Sequence, residues 1–167
     1  MAKPQVFYSF HFDNDVMRVQ LIRNIGVIEG NEPASKNDWE KARKTPGAII
    51  KWINDNMYYR SCVVVLVGTQ TAFRPWVQYE IKKGWIEGKG MVGIYIHNLK
   101  DCRSSSIPPF YGKCTQGPNP FEQFKCDNGI ALSNYVPCHN PNPNDAYNDI
   151  ARNLQAWINN APRARKG

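Results

Sequence analysis

Apolar residues in this chain fall into short unbroken runs separated by helically spaced stripes, and their order predicts an α/β sheet. Val6-Phe7-Tyr8-Ser9-Phe10 is a β-rich run near the amino terminus, followed by a polar turn over 11–14. Met17, Leu21, Ile22 and Ile25 then supply a helical stripe, with Asp13, Asn14 and Asp15 as capping residues at its start. After a Gly/Asn/Pro-rich connection over 26–37, Thr45-Pro46 presents an N-cap and a proline at the first helical position. Ile49, Trp52, Ile53 and Met57 give that helix its buried face. Cys62-Val63-Val64-Val65-Leu66-Val67 is apolar without alternation, the pattern of a central parallel strand covered on both faces. Pro75 opens the next helix, where Val77, Ile81 and Trp85 form the sheet-facing stripe, Trp76 and Glu80 fall beside it, and Gly88 ends it. Residues 91–96 form a further apolar strand.

Residues 98–143 break this rhythm with many Pro, Asn, Ser and Gly residues, and long irregular segments in compact domains are either functional or disordered. One edge strand is expected within it, over 129–136. The chain then closes with an amphipathic helix capped by Asn144 or Asp145, with Tyr147, Ile150, Ala151, Leu154, Trp157 and Ile158 on its buried face. The alternation of strands and helices predicts one domain over 1–167: a three-layer α/β fold with a central, mostly parallel sheet flanked by helices. The stretch at 98–143 reads as an insertion and 162–167 as a basic tail.

Composition narrows the partners. The chain has 167 residues, a formal charge of +7 and 42% hydrophobic residues, enough apolar side chains for one core. Its positive excess is concentrated in Lys41-Ala42-Arg43-Lys44, Lys82-Lys83 and Arg163-Ala164-Arg165-Lys166; each cluster reads either as a solvated surface or as attraction for an anionic partner. No apolar stretch approaches the roughly 20 residues of a membrane span, and nothing after Met1 resembles a leader, so a soluble, cytoplasmic protein is expected. Five cysteines, one of them inside a core strand, suit a reducing compartment. Cys102, Cys114, Cys126 and Cys138 recur every twelve residues with His97 and His139 nearby, but structural zinc sites bring their ligands in close pairs, so no metal is expected.

The candidate chemistry gathers where the first and central strands end. Trp76 and Glu80 lie four apart on the first turns of a helix that follows the central strand, the edge at which open α/β sheets bind ligands. Glu80 reads either as a solvated helix residue paired with Lys82 or Lys83, or as a carboxylate that stabilises an oxocarbenium-like transition state or holds ribose hydroxyls. One carboxylate suffices when the leaving group departs without protonation, as nicotinamide does from NAD+. Phe10, Trp76 and Tyr79 are candidates for stacking on rings, and Arg74 for binding phosphate. The alternatives are core packing for Phe10 and Trp76 and a solvated turn for Arg74. His11 reads as a proton shuttle or a plain turn residue, and Trp39 as a lid or a packing anchor.

Missing motifs exclude rivals. The chain has no G-x-G-x-x-G after a strand and no G-x-x-x-x-G-K-[ST], which removes two phosphate cradles. It has no G-x-S-x-G elbow and no H-E-x-x-H helix. Val67-Gly68-Thr69 offers no aspartate at the end of the central strand for a phosphoacceptor.

Val6-Phe7-Tyr8-Ser9-Phe10-His11, the strand continuing into Gly68-Thr69-Gln70-Thr71, Arg74-Pro75-Trp76-Val77-Gln78-Tyr79-Glu80-Ile81 and Gly117-Pro118-Asn119-Pro120-Phe121 together resemble the TIR-like proteins of the bacterial Thoeris anti-phage system. The resemblance implies a TIR fold, related to the flavodoxin-like arrangement, and chemistry that consumes NAD+ as substrate with no further cofactor. It implies that Glu80, the glutamate of W-x-x-x-E, is catalytic, with Ser9, Phe10, His11, Arg74, Trp76 and Tyr79 against the substrate. Nicotinamide release would yield an ADP-ribose-derived, cyclic or conjugated signal for a partner effector. A phage-derived trigger and self-association are implied as well, and neither membrane nor nucleic acid is expected as a partner. Two other classes stay open: a non-catalytic TIR-like interaction module, against which the retained Glu80 argues, and a nucleotide-binding sensor.

Overall fold

Cys62–Val67 forms the central strand, β3, and all six residues are buried because helices cover both faces of the sheet. β1 (Gln5–Ser9) and β4 (Gly90–Tyr95) flank it in parallel. Two short edge strands, β2 (Glu29–Gly30) and β5 (Cys138–His139), complete five parallel strands in the order β2-β1-β3-β4-β5. The molecule is a computed structural model that describes residues 5–25, 29–30, 45–101 and 113–164. Trp39, expected as a lid or a packing anchor, and the basic run over 41–44 lie outside these residues, as do Cys102 and the end of the basic tail.

Four helices among the described residues cover the sheet. α1 (Phe12–Arg23) and α4 (Ala146–Asn159) pack on one face, where Tyr8, Val64, Leu66, Val92 and Ile94 meet Val19, Ile22, Ile150 and Leu154. α2 (Pro46–Met57) and α3 (Pro75–Ile86) pack on the other, where Phe7, Val63, Val65 and Met91 meet Ile49, Ile53, Val77 and Ile81. Strand order and layers are those of the flavodoxin-like class, in which the chain reverses direction across the sheet between β1 and β3 and leaves a crevice at their carboxyl ends.

Local chemistry explains where the helices begin. Thr45 Oγ1 accepts from the Ala48 amide at 3.1 Å and Pro46 follows it, so α2 starts with a satisfied donor and a preset φ. Pro75 likewise presets φ at the start of α3, where the N-cap Arg74 makes no side-chain cap bond. That helix lies tight against the sheet: a Cβ on Gly84 would stand 2.7 Å from Val63 Cγ2.

Several expectations need correction. Of the stripe expected for α1, Ile22 is buried and Leu21 and Ile25 pack half-buried against the same core, but Met17 does not belong to it. Met17 is 43% exposed, and the inward face carries Asp15, Arg18, Val19 and Ile22, because two buried charged residues occupy positions in phase with the apolar ones. The cap of α1 is His11 in extended backbone, so Asp13, Asn14 and Asp15 fall within its first turn. The edge strand expected over 129–136 is instead Cys138–His139, paired with Gly93 and Ile94. Residues 129–136 fold as a turn at Gly129, with φ of 80°, and a 3-10 helix over Leu132–Asn134. In α4, Tyr147 is exposed and Ala146 takes its place inside, while Trp157 is half-buried and stacks on His139 at 4.3 Å. The described part of the insertion, 113–143, is held to the body of the domain by Phe121, Leu132 and Val136, all buried in the core beneath α2 and α3.

Candidate active site

Side chains alternate across a strand, so Phe7 and Ser9 of β1 point to the α3 side while Tyr8 points to the other. Ser9 is the last residue of β1, opposite Val65 of β3, and is wholly buried. The inward face of α3 is Val77, Glu80, Ile81 and Gly84. Glu80 therefore belongs to the sheet-facing stripe instead of lying beside it, and is 4% exposed. Neither Lys82 nor Lys83 neutralises it; Lys83 pairs with Glu87 on the outer side of the helix.

Burial pushes the Glu80 carboxyl up to about 8, because a charge there would lose its hydration, and the Ser9 hydroxyl opposes part of that rise. Contact between the two falls short of a hydrogen bond, since Ser9 Oγ and Glu80 Oε2 are both buried without a hydrogen-bond partner. Such a group is neutral at pH 7 and becomes an anion once a cation enters or the pH rises. A carboxyl poised this way, at the carboxyl edge of the sheet, meets the physical description of a functional site.

Other candidates divide between the two sides of this edge. Trp76 and Tyr79 contact each other edge to face at 5.9 Å, and both pack against the core beneath α2 and α3. The Tyr79 hydroxyl lies 3.3 Å from Asn54 Oδ1 of α2, to which it donates. Phe10, just past the end of β1, packs against the core of the opposite face and against Phe12 at 6.1 Å. His11, mostly buried, caps α1. Arg74 sits exposed at the N-cap of α3, after the carboxyl end of β3, and donates to Gln70 Oε1 at 2.9 Å.

The structure adds two features that the sequence reading missed. One is a buried ionic cluster in which Arg18 Nε donates to the Leu99 carbonyl at 2.9 Å, with Arg18 Nη1 3.5 Å from Asp15 Oδ1 and 3.7 Å from Asp101 Oδ2. Its signal was available: Asp15 and Arg18 lie three apart, in phase with Val19 and Ile22. The other is a clasp from the insertion onto the turn after β3. Thr69 Oγ1 donates to the Thr115 carbonyl at 2.6 Å, Gln78 Nε2 donates to Gln123 Oε1 at 3.1 Å, and Gly117 lies directly on the Gly68 carbonyl. No local pattern pointed to it. Cys62, Cys114, Cys126 and Cys138 are free thiols, and the described residues bring together no group of three His, Cys, Asp or Glu side chains able to hold a metal. None of the helices described is long and apolar enough to cross a membrane.

Comparison with known proteins places this geometry in a family. A protein of Bacillus cereus (strain MSX-D12) named "Putative cyclic ADP-D-ribose synthase ThsB1" is 38% identical over 129 residues, covering 73% of this chain. The chain spans 62% of that relative's length. The model of the TIR-like domain of the Thoeris protein ThsB matches residues 7–101, more than half of the chain, and takes in β1, β3, α3 and β4. This chain therefore belongs to the TIR-like domain family of the Thoeris protein ThsB.

Proposed function

We propose that this protein cleaves NAD+, releasing nicotinamide and turning the ADP-ribose part into a cyclic signal that activates a partner effector in anti-phage defence. The observation that carries the reading is Glu80: a buried carboxyl pushed up to about 8 where α3 faces the end of β1, in a chain with a relative named "Putative cyclic ADP-D-ribose synthase ThsB1".

The nicotinamide ring of NAD+ is cationic. Brought against Glu80, it favours the carboxylate and draws the proton off, because a charge pair in a dry site interacts far more strongly than in water. The C1′–N1 bond of the nicotinamide ribose then breaks heterolytically. Its electron pair goes to nicotinamide, which leaves neutral and needs no general acid. The Glu80 carboxylate stabilises the positive charge that develops on the ribose, and an internal nucleophile of the same molecule closes the ring. Water at that step would give linear ADP-ribose, so exclusion of water sets the product. Trp76 and Tyr79 wall the Glu80 side, Phe10 and His11 lie across the edge of the sheet, and Arg74 stands at the rim for the diphosphate. Self-association and a phage-derived trigger complete the proposal.

Mass spectrometry of NAD+ incubated with concentrated protein tests it. Wild type and Glu80→Gln are each assayed with and without lysate of phage-infected cells. Nicotinamide and an ADP-ribose-derived product from wild type alone is the expected result. NAD+ left intact in every arm by folded, self-associated protein would replace the enzyme with an interaction module.

A further inference from the structure

Ser9 and Glu80 are the two polar groups that β1 and α3 turn toward each other inside an apolar layer. Both residues are buried, and around them stand Phe7, Val65, Val67, Val77 and Ile81. Burying a polar atom without a hydrogen bond is costly, and here Ser9 Oγ and Glu80 Oε2 both go without one. Two orphaned atoms on facing elements form a natural pair, and the strength of that pair depends on the protonation state of the carboxyl. The neutral acid and the hydroxyl can share an ordinary bond, but a hydroxyl that donates to a carboxylate makes a charge-assisted bond roughly twice as strong, so the contact strengthens when Glu80 ionises.

We infer that Ser9 is a positioning residue for Glu80: its hydroxyl donates to the Glu80 carboxylate that meets the substrate, fixing its orientation and widening the pH range in which it is charged. The inference deepens the proposed NAD+ cleavage and rests on it for its kinetic readout alone.

Few other groups compete for this role. Tyr95 of β4, on the same side of the sheet, has its phenol pushed up to about 12, chiefly by burial, and stays neutral through the range concerned. His11 lies just beyond the end of β1, and Lys83 on α3 itself is paired with Glu87. Burial and the Ser9 hydroxyl account for the displacement of Glu80, with no charged neighbour contributing. Ser9 thus stands behind the carboxyl as its support. A substrate contact is not required of it.

Protein carrying 13C at the glutamate carboxyl carbons provides the test. The resonance lost in Glu80→Gln is assigned to Glu80 and titrated in the wild type, Ser9→Ala and Ser9→Cys. The wild type is expected to titrate near 8, Ser9→Ala roughly one pH unit higher, and Ser9→Cys between the two, since a thiol is the weaker donor. The pH profile of kcat/KM for NAD+ should move by the same interval in Ser9→Ala, with most of the activity regained at high pH. An unchanged midpoint, or activity lost equally at every pH, overturns the inference. A displaced midpoint in a protein that leaves NAD+ intact upholds the pairing and overturns the proposed cleavage. If Ser9→Ala does not fold, Ser9→Cys decides alone, and an unmoved midpoint there counts against the pairing.

Discussion

The Asp15 carboxyl of α1 fills the space above Gly68, the residue after β3, so closely that a Cβ on Gly68 would overlap it. This contact ties the first helix to the turn that launches α3. The same turn is fixed from below by Thr71, whose Oγ1 accepts from the Gly68 amide at 2.8 Å, and from the side by Gly117. Glu80 stands on the second turn of the helix so launched, and its position is set by contacts that it does not itself make.

Gly68→Ala should therefore cost about 1–3 kcal/mol, the usual penalty for overpacking where the neighbour has no room to yield. Gly47→Ala supplies the control. It sits in the first turn of α2 with nothing within 4 Å of the added carbon, and should be neutral or stabilising by a few tenths of a kcal/mol. Urea unfolding of both variants checks the contrast: a lower midpoint at unchanged slope for Gly68→Ala alone.

Arg18 holds Asp15 in place, and losing it should be more damaging still. Its guanidinium lies between two buried carboxylates and donates to the Leu99 carbonyl. Arg18→Met would leave Asp15 and Asp101 buried without that cation, at a cost of about 3–5 kcal/mol. Arg18→Lys should recover only part of this, because a single ammonium cannot reproduce the Nε bond to Leu99 while facing both carboxylates. Thermal melts at low and high salt discriminate: a buried cluster predicts a loss that salt barely alters, whereas an exposed pair would be screened.

Much of the molecule was legible in its sequence. The unbroken run Cys62–Val67 carried the pattern of a strand covered on both sides, and Thr45-Pro46 and Pro75 marked the starts of two helices. Where reading failed, the reason was tertiary. The face of α1 was only partly legible because Asp15 and Arg18 are polar in composition yet buried as a pair, which no hydropathy pattern records. β5 was misplaced because two residues suffice once β4 offers an open edge, and a two-residue strand has no period. Glu80 was marked by its spacing from Trp76. Its burial against Ser9 was not, because their contact joins residues 71 positions apart on different elements.

Replacing Glu80 should stabilise the protein in a way that depends on pH. An unfolded chain ionises this carboxyl near 4.5 and the folded one near 8, so between these values unfolding releases a proton and stability falls as pH rises. Glu80→Gln removes the titration. The variant should match the wild type near pH 4 and gain steadily above it, by an amount on the order of 4 kcal/mol at pH 8. Melting temperatures of both proteins from pH 4 to 9 give the measurement. A constant difference across that range would mean that the carboxyl is not held neutral in the folded state.

The same carboxyl predicts the pH profile of the proposed reaction. The quantity kcat/KM reports the ionisation of the free enzyme, where Glu80 titrates near 8. If the carboxylate is the form that stabilises the cationic ribose, only the deprotonated fraction is productive, and kcat/KM should rise about tenfold per pH unit below that value and level off above it. The profile of kcat should turn at lower pH, since bound NAD+ places a cation beside Glu80 and draws its proton off earlier. Steady-state rates from pH 5.5 to 9.5 separate this from the opposite assignment. A glutamic acid that donated its proton to the leaving group would give rates falling through the same interval. Because nicotinamide departs neutral, the rising limb is the expected one, and its midpoint should coincide with the upper end of the stability window of the unliganded protein.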